Sequence, residues 1–204
     1  MGSVKNATNR GAPGMDWRKL VSQSLIQPRA AARSLMALGL PLGLLVQAAA
    51  AVTALAILLS YLALAATPDG VDAVSRAIVE SPLIGAAIQF GVILVVGYFT
   101  FYIGRLFGGT GNLGAALALV VWLNAMLLFI QIVQLAILFV VPPLASLVAV
   151  VTVFWALWAF ANFVTELHGF QNALLVLGGV LLSMFVLFFG LAMVLAVLGL
   201  GPEG

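Results

Sequence analysis

The chain contains no cysteine and a single histidine among its 204 residues. Without cysteine there is no disulfide, no thiolate nucleophile and no cysteine-ligated metal. One histidine cannot build a histidine-based metal site by itself. Charged residues are also scarce, because they make up 7% of the chain, whereas a typical soluble domain has about 25%. The composition therefore excludes an ordinary soluble domain and several classes of catalytic site.

Apolar residues dominate what is present, at 64% of the chain. Because a membrane-spanning helix needs about 20 apolar residues, five runs are long enough to cross a bilayer. We place them near 42–66, 83–103, 113–140, 144–165 and 173–198. The sequence therefore predicts an all-α integral membrane bundle of five transmembrane helices over residues 36–198, followed by a short external tail at 199–204.

The breaks between these runs have turn chemistry. A turn at 67–70 begins the first connection, a glycine-rich loop at 108–112 follows the second run, and residues 166–172 precede the fifth. Pro142 and Pro143 separate the third run from the fourth, because a proline pair removes two amide donors and stops a helix.

The segment before the first run predicts a disordered cytoplasmic tail at 1–14 and interfacial amphipathic helices at 15–35. Trp17, Leu20, Val21 and Leu25 fall on one face at helical spacing, as in a helix that lies in the headgroup layer. Pro28 then begins a second short helix. The basic residues of this segment form a topology signal and membrane anchor, or a docking surface for a cytosolic partner, and these roles are compatible. They are Arg18, Lys19, Arg29 and Arg33.

Basic residues indicate the orientation of the chain. Seven of the eight Lys and Arg residues lie before the first run or at Arg105, which five spans place on the same side, and only Arg76 lies opposite. Because cytoplasmic loops are enriched in Lys and Arg, we expect a cytoplasmic N-terminus and an external C-terminus.

The glycine-rich loop fits the pattern G-x-G-x-x-G over residues 109–114. A dinucleotide site would need a strand before it and an acidic residue about 20 positions later. A membrane span precedes this loop, and the next acidic residue is Glu166. We therefore expect no nucleotide and no other cofactor. We also expect no nucleic acid, because a net charge of +2 is too small for a nucleic-acid groove.

The same loop is better interpreted as a hairpin at the membrane edge. Tyr98 and Tyr102 lie four residues apart, as in an aromatic belt, and Arg105 follows with a guanidinium that can reach a phosphate or a carboxylate. Asn112 is placed to cap the next helix. The loop glycines permit backbone conformations with positive φ, and they are Gly108, Gly109 and Gly111.

Polar side chains inside the predicted spans are few. Asn124, Gln131 and Gln134 share one face of the third span, within about 80°, and Gln89 and Gln47 can meet them from other spans. These amides act as glue between helices, or they line a path for a small solute or an ion.

Glu166 and His168 end the fourth span, one turn after the intramembrane Asn162. A Glu-x-His pair can support acid–base chemistry. No set of nucleophile, base and orienting group accompanies the pair, so we expect a solvated cap in which Glu166 pairs with Arg105. The sequence therefore predicts no enzyme.

The residues now named resemble the Yip family of membrane proteins, named for interaction with Ypt/Rab GTPases. The resemblance covers about residues 25–198. It is carried by the Tyr98, Tyr102, Arg105 and glycine pattern, by the later Trp122, and by the aromatic segment at 154–173. The opening QPRAAARSLMALGLP is similar to bacterial members.

The resemblance implies a multi-pass membrane protein that acts as an adaptor and often forms hetero-oligomers. We therefore expect a membrane-organising scaffold in a bacterial cytoplasmic membrane, with the lipid bilayer and a protein or a further copy as partners. The alternative is a small transporter or channel with its polar path on the third span.

Overall fold

A computed structural model describes residues 16–66 and 81–197. The predicted tails at 1–14 and 199–204, the turn at 67–70 and Arg76 lie outside the described residues. Within those ranges every regular element is a helix. The helices are α1 (Trp17–Ile26), α2 (Pro28–Met36), α3 (Leu42–Ala66), α4 (Pro82–Leu106), α5 (Leu113–Val140), α6 (Pro142–His168) and α7 (Ala173–Val197).

Helices α3 to α7 are long and apolar enough to cross a membrane, with mean hydropathies from 2.0 to 2.5. The prediction of an all-α bundle with five such helices is therefore confirmed. The fourth of the described helices, α4, continues to Leu106, and α6 continues to His168. Both extend past the predicted ends of the apolar runs.

Local chemistry determines where several helices begin. The Asp16 carboxylate accepts from the Arg18 and Lys19 amides at 3.1 and 3.2 Å and caps α1. The Asn112 side chain accepts from the Ala115 amide at 2.9 Å, as predicted. Pro142 opens α6, and Val141 alone separates that helix from α5. A proline fits the first turn of a helix because amides there have no intrahelical partner.

The central element is α5, which packs against α3, α4, α6 and α2. In its most apolar 18-residue window 44% of the residues are buried, compared with none in α7. Residues 116–121 are buried all the way round the helix, which is typical of an apolar helix inside a bundle.

Helices α1 and α2 form an N-terminal hairpin, Trp17–Met36, that packs on α5 and α6. Leu20 and Leu35 enter the core, whereas Leu25 and Ile26 are exposed. Only part of the apolar face of α1 is therefore buried, because α1 contacts the bundle through Leu20 and Ser24. The loop 107–112 and the end of α6 lie at the same end of the bundle, where the Thr110 amide donates to the His168 carbonyl oxygen at 3.4 Å.

Candidate functional site

The candidate site is the hairpin end of the bundle, where the N-terminal hairpin, the loop 107–112 and the last turns of α6 meet. Trp122 of α5 holds α1 there, because its indole N–H donates to the Ser24 hydroxyl at 2.8 Å. Ser24 is fully buried, and its own hydroxyl donates to the Leu20 carbonyl oxygen at 2.8 Å. Trp17 adds a stacked contact with Trp122 at 6.1 Å between ring centroids.

A second indole attaches the end of α1 to α6. Trp155 donates to the Leu25 carbonyl oxygen at 3.3 Å. The last carbonyls of a helix have no partner within the helix, so this bond satisfies one of them. Both indoles therefore bind polar groups of α1 and fix its position on the bundle.

The two arginines of α2 also have partners on α6. Arg29 Nε donates to Asn162 Oδ1 at 3.1 Å, and the Asn162 amide nitrogen donates to the Trp158 carbonyl oxygen at 2.8 Å. Asn162 is buried. This residue, predicted as a polar group inside the membrane, accepts the hydrogen bond by which α2 is attached to α6.

Arg33 pairs with Glu166, with 3.6 Å between Nε and Oε1. The predicted pairing of Glu166 with Arg105 is wrong, because the packing of α2 places Arg33 beside the carboxylate instead. Arg105 instead lies over the Phe101 ring of its own helix, with its guanidinium carbon 5.5 Å from the centroid. Since the Arg33 side chain is 66% exposed, we expect the pair to contribute only about 0–1 kcal/mol.

The prediction that His168 is a solvated cap is also wrong, because the residue is only 3% exposed. The Gly111 amide donates to Nδ1 at 3.3 Å, so the proton lies on Nε2, which donates to the Thr100 carbonyl oxygen at 3.0 Å. The ring also stacks on Phe170. Glu166 and His168 therefore do not act as a pair: the carboxylate faces α2 and the imidazole ties α6 to α4 and to the loop.

Glycine makes room for this imidazole on three sides. A Cβ atom added at Gly104 or Gly109 would overlap the His168 ring, and one at Gly111 would lie 2.8 Å from the ring carbon Cε1. Only Gly108 of the predicted loop glycines has a positive φ, at 83°. The loop glycines thus serve mainly for close approach to a histidine, and Gly104 belongs to the same set.

The three amides of α5 bind protein atoms. Gln131 donates to the Ser60 hydroxyl at 3.2 Å, and Gln134 donates to the Ala145 carbonyl oxygen at 3.2 Å. Asn124 donates to the Val120 carbonyl oxygen of its own helix at 2.9 Å. Within the described residues no hydrogen bond joins these amides to Gln89 or Gln47, and the partner of Gln131 from α3 is Ser60 instead.

The remaining predicted residues lie on the surface of the hairpin end. Tyr98 and Tyr102 are about half exposed and stack on each other at 5.9 Å. Arg18 and Lys19 are exposed, and their side chains have no ion pair within residues 16–66 and 81–197. No group of three metal-ligating side chains occurs in the described part of the chain.

Comparison with known protein families identifies the chain. A family model described as the Yip1 domain matches residues 22–194, which is most of the sequence. The chain belongs to the Yip family. No curated protein matches this member of the Yip family, and no solved structure matches it. The matched range begins inside α1, so the Yip domain includes the second half of the first hairpin helix.

The sequence analysis did not identify several residues of the Yip domain that form the site. Gly104, Ser24 and Trp155 were not assigned there, although Trp155 was part of the aromatic segment. A signal for Ser24 was available, because it lies four residues after Leu20 on the face that is buried. No signal in the sequence identified Gly104, since its partner His168 is 64 positions away.

Replacing Trp122 with Phe tests the attachment of α1 in this Yip-family protein. The variant keeps an aromatic ring beside Trp17 but leaves the Ser24 hydroxyl without its indole donor. We expect a loss of about 0.5–1.5 kcal/mol in the free energy of unfolding, measured in detergent.

Trp158→Phe is the matched control, because Trp158 is 40% exposed and its indole has no bond within the described residues. Equal losses in the two variants would contradict a specific role for the indole bond to Ser24.

Proposed function

We propose that this Yip-family protein is a non-catalytic scaffold that binds a protein partner through its N-terminal hairpin. The observation that supports this role is that two of the basic residues of the hairpin bind the bundle and two do not. Arg29 and Arg33 are engaged by α6, whereas the side chains of Arg18 and Lys19 extend from an exposed face. The docked hairpin thus offers a rigid surface with two available cations.

The exposed apolar residues beside these cations support the same proposal. Trp17 is 59% exposed and Ile26 is 72% exposed. Trp and Arg are enriched among the residues that contribute most of the binding energy near the centre of protein interfaces, which fits Trp17 and Arg18. In this proposal the hairpin end faces the cytoplasm of a bacterium, in agreement with the excess of Lys and Arg on that side.

The experiment compares partners crosslinked in native membranes by the full chain and by Arg18→Gln/Lys19→Gln. Deletion of residues 1–34 would be less specific, because it would also remove Ala31 and Ala32 from the core. We expect the amount of crosslinked partner to fall at least about tenfold when both cations are removed, because charged contacts control encounter and register.

The control is Arg33→Gln/Arg105→Gln, which removes the same charge from the same end of the bundle. Membrane orientation is checked in each variant with a cysteine label on the N-terminus, because basic residues also determine topology. Capture of the partner by Arg18→Gln/Lys19→Gln at the level of the unmodified chain would overturn the proposal, as would an equal loss in the control.

The alternative of a polar path along α5 has less support. The amides of Gln131 and Gln134 have partners on neighbouring elements, as expected for residues that join helices. Flux of a small solute or an ion through proteoliposomes that disappears in Gln131→Leu/Gln134→Leu would favour a transporter over the scaffold.

A further inference from the structure

The guanidinium of Arg29 is held between α2 and α6 by a single hydrogen bond. Its Nε donates to Asn162 Oδ1 at 3.1 Å, and its two terminal nitrogens have no partner within residues 16–66 and 81–197. A guanidinium has donors on all three nitrogens, so most of the donors of Arg29 are available to a further acceptor. Asn162 fixes the direction of the group, because its own amide nitrogen donates to the Trp158 carbonyl oxygen.

The terminal nitrogens of Arg29 can also be reached from outside the protein. Arg29 is half-buried. Within the described residues, the Thr53 hydroxyl is the only fully buried side-chain polar atom that has no hydrogen-bond partner. The unpartnered nitrogens of Arg29 are therefore accessible at the edge of the contact between α2 and α6.

No carboxylate at the hairpin end is left to neutralise this cation. Glu166 pairs with Arg33, and the Asp16 carboxylate accepts from the first amides of α1. The other acidic residues of the chain follow the ends of α3 and α7 in sequence, and those helices end at the opposite end of the bundle. An anion that neutralises Arg29 must therefore come from outside the protein.

The position of Asn162 along α6 places Arg29 close to the edge of the hydrocarbon layer. Asn162 lies seven residues after Trp155, the middle residue of this 27-residue helix, which is about 10 Å by the rise of 1.5 Å per residue. The hydrocarbon layer ends about 15 Å from its centre, where the headgroup region begins. A long arginine side chain near this boundary directs its charge toward the headgroups. The anions available there are the phosphate groups of the lipids.

The chemistry of the site also favours a phosphate. Parallel N–H groups of a guanidinium match two oxygens of a phosphate in a bidentate contact. Arg29 is the second residue of α2, where the partial positive charge of a helix is concentrated. Gln27 precedes the helix and makes no side-chain hydrogen bond to its first turn, so no side-chain cap offsets this charge.

We propose that Arg29 binds the phosphate of an anionic phospholipid in the leaflet at the hairpin end, with the headgroup held where α2 meets α6. A zwitterionic headgroup should bind less tightly, because its amine adds positive charge to a site that already has an excess. The site uses neither Arg18 nor Lys19, so this proposal and the proposed scaffold function can fail independently.

The first experiment measures lipid binding to the full chain by native mass spectrometry from detergent micelles. Phosphatidylglycerol is the anionic probe, and phosphatidylcholine is the zwitterionic comparison. We expect one phosphatidylglycerol per chain at the tight site, bound more tightly than phosphatidylcholine. In Arg29→Gln its affinity should fall at least about tenfold, as for loss of a hydrogen bond to a charged group.

Arg105→Gln is the matched control for the loss of charge. It removes a guanidinium from the same end of the bundle, but one that lies over the Phe101 ring of its own helix, and it should leave the affinity of the tight site unchanged. An equal loss in Arg29→Gln and Arg105→Gln would overturn the proposal, because it would indicate attraction by net charge alone. Undiminished binding in Arg29→Gln would also overturn it.

Glu166→Gln tests the site while Arg29 stays in place, so its result does not depend on the folding of Arg29→Gln. The Glu166 carboxylate lies one turn beyond Asn162 on α6, and the exposed pair that it forms contributes little to stability. Removing this negative charge should tighten phosphatidylglycerol binding about twofold to tenfold, since like charges near a protein surface repel each other. Unchanged or weaker binding would contradict a phosphate at this position.

The second experiment separates a lipid headgroup from free phosphate. Thermal unfolding is followed in detergent micelles with added phosphatidylglycerol, or with inorganic phosphate at the same concentration. Phosphatidylglycerol should raise the unfolding temperature of the unmodified chain and of Arg105→Gln, because a ligand that binds only the folded state stabilises it. Arg29→Gln should lose this rise. An equal rise with inorganic phosphate would overturn the assignment to a lipid, and no rise with either probe would overturn the site itself.

Discussion

Replacing Gly104 with Ala is expected to destabilise the folded bundle by about 1–3 kcal/mol, as for an extra methyl group in a packed core. The added Cβ would overlap the His168 imidazole, whose position is fixed by its bonds to Thr100 and Gly111. The ring cannot move away without losing at least one of these bonds. The measurement is the free energy of unfolding in detergent.

Gly91→Ala on the same helix is the matched control. A Cβ at Gly91 meets nothing within 4 Å, and alanine is favoured over glycine inside a helix by about 0.5–1 kcal/mol. This control should therefore be neutral or stabilising. If Gly91→Ala and Gly104→Ala lower stability equally, the effect does not arise from contact with His168.

A double-mutant cycle isolates the contact itself. His168→Ala removes the ring and leaves space for the Cβ at position 104, so Gly104→Ala should cost little in that background. We expect a coupling of at least about 1 kcal/mol between the two substitutions, which is typical of residues in direct contact. Strictly additive losses would contradict the proposed role of the glycine.

Replacing Ala32 with Leu is expected to release the N-terminal hairpin from the bundle. Ala32 of α2 is fully buried in the hydrophobic core that the hairpin shares with the bundle, and a leucine there has no space. We expect docking to weaken by about 1–3 kcal/mol. Cleavage by trypsin at Arg29 and Arg33 should then rise roughly 5- to 150-fold, since cleavage follows the population of the open form.

Ser34→Leu provides the control on the same helix. Ser34 is exposed, and its hydroxyl bonds only to the Ala30 carbonyl oxygen of its own helix. The same leucine is thus added on the exposed face of α2 and does not enter the core. Cleavage of Ala32→Leu no faster than that of Ser34→Leu would show that the hairpin is not held by packing at Ala32.

The hydrogen bonds of the hairpin explain why Ala32→Leu should release the whole N-terminal hairpin and not α2 alone. Trp122 and Trp155 each donate to α1, and Asn162 accepts from Arg29 on α2. These bonds form only while the whole hairpin is docked, and α1 packs on α2, so a single overpacked alanine in α2 should remove them together. The scaffold proposal requires this seating, because the hairpin presents Arg18 and Lys19 in a fixed position only when it is docked.

The sequence by itself determined the number of long apolar helices, the break at Pro142 and the cap at Asn112. These features are local: a membrane span depends on a continuous apolar run, a cap on one side chain three residues from the amide it binds, and a proline on its own ring. The resemblance to the Yip family followed from several short motifs spread over about residues 25–198, and the family match over residues 22–194 confirmed it.

Only the tertiary structure decided which polar groups meet at the hairpin end. Hydrogen bonds join Arg29 to Asn162, Trp122 to Ser24, and Gly111 to His168, and the partners lie 133, 98 and 57 positions apart in the chain. Charge and spacing favoured Arg105 as the partner of Glu166, but helix packing places Arg33 there. Such contacts depend on the relative placement of helices, which periodicity within one helix does not encode.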